Sequence, residues 1–193
     1  MYRALTVSWL LAAVTCFVFG SDAEPALPEV RPSETFIEYR DREFRISYPE
    51  NWRAFGDRDS VGVTIAPPAV VRGLPRGGTT VGYGAVVSFF YTEDRPAKLD
   101  KGTRELTERL QASNPGIRPR SKRSQKVKID GENALVTILE GPSAFNGHSE
   151  VDRVVTVAWK QGLFYIIFIS PERELSVLGP VFDKMLASLT LSR

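Results

Sequence analysis

Seven consecutive apolar residues, Leu163-Phe164-Tyr165-Ile166-Ile167-Phe168-Ile169, restrict the fold of this chain more than any other stretch. A strand covered on one face alternates apolar with polar side chains. This one is apolar at every position, so it needs apolar cover on both faces and belongs inside a sheet. Lys160-Gln161-Gly162 before it reads as a turn, and Val151 to Trp159 before that as a second strand. Hairpin-linked strands run antiparallel. The expected architecture is therefore α+β: an α/β/α sandwich around a central, mainly antiparallel sheet.

The remaining elements fit that frame. Phe36 to Tyr39 and Glu43 to Tyr48 read as short paired strands, and Pro49, which cannot donate to a ladder, ends the second. Val61 to Ala66 alternates as a strand. Pro67 to Thr80 reads as a Pro/Gly-rich surface loop, and Val81 to Tyr91 as a long central strand in which Gly82 and Gly84 mark a bulge or a close backbone approach. Lys101 to Ser113 predicts a helix with Leu99, Thr103, Leu106 and Leu110 on its buried stripe, Asp100 as N-cap, and Asn114-Pro115-Gly116 as its stop. Gln125 to Ile129 and Asn133 to Glu140 flank the hairpin signal Asp130-Gly131. A last helix is expected over Leu178 to Ser188, with Pro180 in its first turn.

The N-terminus has a different character. Arg3 precedes an apolar run from Leu5 to Phe19, and Ser21-Asp22-Ala23 places small residues where a signal peptidase would cut before Glu24. The run is shorter than the ~20 residues of a membrane span. Residues 1–23 are thus expected to be a secretory signal, residues 24–34 a proline-rich linker and residues 35–191 the folded domain. Cys16 is the only cysteine. It lies within the signal, and Ala13-Val14-Thr15 ahead of it fits a lipoprotein signal poorly, so lipid anchoring through Cys16 is not expected. The exported chain would carry no thiol, which removes disulfides, cysteine metal sites and thiol nucleophiles.

Phe44-x-Ile46-x-Tyr48-Pro49-x-x-Trp52 resembles the opening strand of PsbP-like domains, the fold shared by a photosystem oxygen-evolving subunit and a Ran-binding import factor. The likeness continues through the closing hairpin to Phe182-Asp183-Lys184-Met185-Leu186-Ala187-Ser188-Leu189, which is similar to that fold's final helix. Three further stretches are similar to the domain that follows the catalytic part of some bacterial periplasmic zinc metallopeptidases: Leu106 to Pro115, Glu150 to Thr156 and Gly162 to Tyr165. This second resemblance implies a non-catalytic appendage. The H-E-x-x-H of those peptidases does not occur in this chain.

Reactive chemistry finds little support in the residues. His148 is the only histidine, where a zinc site takes three or four nitrogen or sulfur ligands. No Gly-x-Ser-x-Gly occurs. Gly73 to Thr80 lacks the lysine of a phosphate loop, and Gly82-Tyr83-Gly84 lacks the third glycine of a dinucleotide fingerprint. No cofactor or metal is expected. Carboxylates Glu132, Glu140, Glu150 and Asp152 lie on or beside strands, where polar positions usually face solvent. Trp52 and Trp159 read as core anchors, Trp52 packing with Phe55, Phe182 and Leu186.

One charged stretch stands out. Arg118, Arg120, Lys122 and Arg123, followed by Lys126 and Lys128, form a basic run without an acidic residue. Such a run protects a sheet edge from pairing. It also offers a contact for an anionic surface. At ~1 kcal/mol per cation the first four would give ~4 kcal/mol, only millimolar affinity unaided. With 25 basic and 23 acidic residues, nucleic-acid binding is not expected. The leading reading is an exported, non-catalytic PsbP-like domain that binds or assists another protein in the periplasm or cell envelope. The competing reading is an extracytoplasmic, carboxylate-dependent hydrolase.

Overall fold

The computed structural model describes residues 31–56, 62–73, 79–94, 96–160 and 162–192. The expected signal, Cys16 and most of the 24–34 linker lie outside the described residues, as do residues 74–78 of the Pro/Gly-rich loop.

The first half of the chain is mostly short strands: β1 (Phe36–Arg40), β2 (Phe44–Pro49), β3 (Arg53–Phe55), β4 (Gly62–Ala66), β5 (Val71–Gly73), β6 (Thr79–Val81) and β7 (Gly84–Phe90). Helix α1 (Leu99–Ser113) follows, then β8 (Arg118–Pro119), β9 (Gln125–Ile129), β10 (Glu132–Pro142), β11 (Ser149–Trp159) and β12 (Gly162–Pro171). Helix α2 (Leu175–Ala187) and β13 (Thr190–Leu191) close the fold. The main sheet runs β3-β4-β7-β12-β11-β10-β8, with β9 also on β10, and its ladders are antiparallel.

β12 lies inside this sheet, between β7 and β11. Its Phe164, Ile166 and Phe168 point into a large core with α2, while Ile167 and Tyr165 point into a smaller one with Leu106 of α1. The all-apolar run is thus covered from both sides, as its composition demands. The fold is mixed α+β, with α1 on one face of the sheet and α2 on the other.

Several boundaries differ from expectation. The β1–β2 hairpin does not join the main sheet. It pairs with β13 in a separate three-stranded sheet beside α2, because Phe44, Ile46 and Leu191 bury into the α2-side core. The expected strand from Val81 to Tyr91 is broken at Gly82-Tyr83, where Gly82 N–H bonds Val70 C=O at 2.8 Å. The Pro/Gly-rich segment supplies a hairpin, β5 with β6. Helix α1 begins at Leu99, so Asp100 is a first-turn residue, where its charge suits the positive end of the helix. Helix α2 begins at Leu175, which places Pro180 inside it. Pro180 and Ser176 are exposed, so the carbonyl left without its intrahelical donor can be hydrated.

Turn chemistry follows the sequence closely. Asp130 and Gly131 both take positive φ, 48° and 81°, the geometry of a tight hairpin turn. Gly84 has φ of 145°, and a Cβ there would stand 2.5 Å from the carbonyl oxygen of Ile65. Gly84→Ala combines backbone strain with overpacking and should cost about 2–3 kcal/mol. Thermal unfolding of that variant beside wild type checks this; an unchanged midpoint would mean that the β4–β7 contact is looser than described.

Candidate functional site

Helix α1 covers only part of its face of the sheet. Thr103 Oγ1 and Thr156 Oγ1 are hydrogen-bonded at 2.7 Å, which anchors the helix over β11. Gly102 lets it lie close against β12, since a Cβ there would come within 3.1 Å of Leu163 Cδ1. The strip of sheet over β10 and β9 stays open as a groove of about 700 Å³.

The local sequence explains its walls. On the outer edge of β10 the partner changes from β8, at Leu139 and Glu140, to β9, at residues 132–136. Residues 120–124 therefore leave the ladder and stand as an outer wall. Arg120 N–H still bonds Ile138 C=O at 2.9 Å, and Ser124 Oγ meets Thr137 Oγ1 at 2.7 Å. This wall presents Lys122 and Arg123, with Lys126 of β9 beside them. The opposite wall is the α1 stripe Asp100, Arg104, Glu108 and Gln111; Leu135 and Thr137 form the floor.

The basic run splits in two. Lys122 and Arg123 line the groove, and among the described residues neither makes an ion pair; nor do Lys126 and Arg104. Arg120 instead meets Glu140 at 2.6 Å and Glu172 at 3.9 Å. Arg118 turns back onto the carbonyl oxygens of Pro115 and Ile117. Arg104 was not singled out from the sequence. Asp100-x-x-x-Arg104-x-x-x-Glu108 is a charged stripe at helical spacing, but which sheet edge it faces depends on packing.

Two carboxyl groups are buried on the same face of the sheet. Glu150 and Asp152, alternate residues of β11, are 6% and 7% exposed. This corrects the expectation that they face solvent. Ile117 packs with Leu139 and Val154 beside them, and Gly116 lies so close over Gly141, the partner of Glu150, that a Cβ on Gly141 would sit 2.5 Å from its oxygen. Burial pushes the Asp152 carboxyl up to about 8, aided by repulsion from Glu150. Glu150 is also raised by burial, against a hydrogen bond with Ser143. Among the described residues, Asp152 Oδ1 and Asn146 Nδ2 are buried without a hydrogen-bond partner. Glu140, by contrast, is at the surface with Arg120.

His148 is exposed in the turn between β10 and β11, where its carbonyl accepts from Ser143 N–H at 2.7 Å. Among the described residues, no three His, Cys, Asp or Glu side chains are grouped to hold a metal. No helix of the described chain is long and apolar enough to cross a membrane.

These features sit on a PsbP-like α+β fold. The cyanobacterial PsbP protein CyanoP from Synechocystis sp. PCC 6803 superposes with a TM-score of 0.56 at 13% identity, covering 85% of this chain and 95% of its own. A protein of unknown function from Pseudomonas aeruginosa superposes with a TM-score of 0.50 at 13% identity, covering 74% of this chain and 99% of its own. LpqN, involved in cell envelope biogenesis of Mycobacterium tuberculosis, fits less well, with a TM-score of 0.46 at 18% identity over 82% of this chain and 90% of its own. No family model and no curated protein matches the chain. At these identities the likeness concerns the fold alone.

Proposed function

We propose that this chain is an exported, non-catalytic accessory domain that binds or stabilises another protein in the periplasm or cell envelope, by way of the groove beside α1. The observation that carries this reading is the lining of the groove, where four cations, hydroxyl groups and a side-chain amide offer contacts to a partner. It holds no histidine and no cysteine. Its two carboxylates, Asp100 and Glu108, are eight positions apart on one helix, ~12 Å along the axis. A glycosidase pair stands ~5–9.5 Å apart, facing across the scissile bond. The metallopeptidase-appendage resemblance agrees with a domain that serves a larger machine.

The hydrolase reading draws on one observation, an Asp152 carboxyl that stays protonated near neutral pH, as a general acid does. Its burial beside Glu150 works against substrate access. Placing a photocrosslinking residue at Ser121, on the groove wall, and irradiating cells of the native host tests the proposal. The expected result is a processed protein with its N-terminus near Glu24, outside the cytoplasm, in a discrete adduct with one protein. An unprocessed cytosolic chain without an adduct would overturn it. Hydrolytic activity abolished by Asp152→Asn would favour the alternative.

A further inference from the structure

We infer that the groove between α1 and the 120–126 wall binds an extended, acidic stretch of polypeptide of about five residues. This rests on the accessory-domain reading and specifies its ligand. Four cationic side chains line the groove, Arg104, Lys122, Arg123 and Lys126, and none of them makes an ion pair among the described residues. That favours an anionic occupant.

The rest of the lining narrows the class. Arg104 stands on the helical wall and Lys122, Arg123 and Lys126 on the opposite one, so a ligand lying between the walls meets all four. Asp100 and Glu108 interrupt the positive charge, which penalises a uniform polyanion such as polyphosphate or a nucleic acid backbone. The lining holds no aromatic ring on which a sugar or base could stack. A peptide carries both kinds of partner the walls require. Its acidic side chains pair with the lysines and arginines, and its backbone N–H groups can meet Asp100 and Glu108. Gln111 and the hydroxyl-bearing Ser121 and Ser124 add neutral hydrogen-bonding groups. From Asp100 to Gln111 the helical wall runs ~17 Å, the length of about five extended residues.

Fluorescence anisotropy on the purified protein tests this with a labelled five-residue peptide, acetyl-Glu-Ser-Asp-Ser-Glu-amide, whose acidic side chains alternate with neutral ones. Wild type is expected to bind it at micromolar concentration, with affinity falling as salt rises. The triple change Lys122→Glu, Arg123→Glu, Lys126→Glu should weaken binding at least ~10-fold, whereas Arg42→Glu, on the distant β1–β2 turn, should not. Ser121→Trp, which fills the groove without altering charge, should weaken it as well. Three outcomes would overturn the inference: no peptide binding by wild type, peptide binding that survives Ser121→Trp, or equal competition by tripolyphosphate or phosphatidylglycerol vesicles. The two proposals fail separately. A crosslinked partner at Ser121 without peptide binding removes only the acidic-peptide assignment, and peptide binding by a protein retained in the cytosol removes only the exported role.

Discussion

Trp52→Ala should lose ~3–5 kcal/mol of folding stability, the usual range for emptying a buried aromatic site. Trp52 is 2% exposed and anchors the core on the α2 side of the sheet. Its ring stands edge-on to Tyr83 and Phe182, with centroids 6.2 and 6.3 Å away. Phe182 in turn stacks on Phe168 of β12 at 4.9 Å. One side chain thus joins the turn after β2 to the last helix and the sheet, and the space it vacates cannot collapse without moving several elements. The expected loss is a large part of a typical 5–15 kcal/mol stability. Trp52 Nε1 has no hydrogen-bond partner among the described residues, so Trp52→Phe should cost less than half as much. Urea denaturation of both variants provides the test. A midpoint for Trp52→Ala equal to wild type would mean that the ring is not a core anchor.

Stability should fall as pH rises from about 5 to about 8, and Asp152→Asn should remove most of that slope. The sign follows from proton linkage. Asp152 titrates near 3.8 when unfolded and at about 8 in the native chain. Below 3.8 both states hold the proton, and the native state carries no penalty. As pH rises between these values, the unfolded chain has released its proton while the folded chain keeps it, and each pH unit favours unfolding by ~1 kcal/mol. The total from pH 5 to pH 8 is on the order of 3 kcal/mol, shared with Glu150. Above about 8 the native pair must hold buried charge. Denaturation midpoints at several pH values measure the slope. His148 is the only histidine and is exposed, so His148→Gln serves as control and should leave the slope intact. A slope unchanged in Asp152→Asn would show that the carboxyl is hydrated and ionised in the native protein.

The sandwich was legible because β12 states its own environment: Leu163 to Ile169 leaves no polar face to turn outward. The Asp130-Gly131 hairpin was legible for a local reason, since its residue types accept the positive φ found there. Trp52 was read correctly as core with Phe182, but its pairing with Phe55 was not. Phe55 is half-buried and lines a hollow with Tyr165 and Val86, on the α1 face of the sheet, while Trp52 lies on the α2 side. A difference in strand parity of that kind depends on how β3 docks on β4.

Local sequence therefore determined the longer strands and the two helices, which strand needs double cover, and where the tight hairpin turn falls. These are consequences of side-chain period and backbone preference, which act over a few residues. Tertiary structure alone decided the fates of the charged residues. Alternation would send Glu150 and Asp152 to solvent, yet the Gly116-Ile117 turn, some thirty positions earlier, covers their face. Four neighbouring cations read as one patch, yet the change of partner along β10 turns Lys122 and Arg123 into a groove, while Arg120 reaches Glu140 and Arg118 caps carbonyl groups. Burial and charge pairing are sums over neighbours from distant parts of the chain, so a short window of sequence cannot contain them.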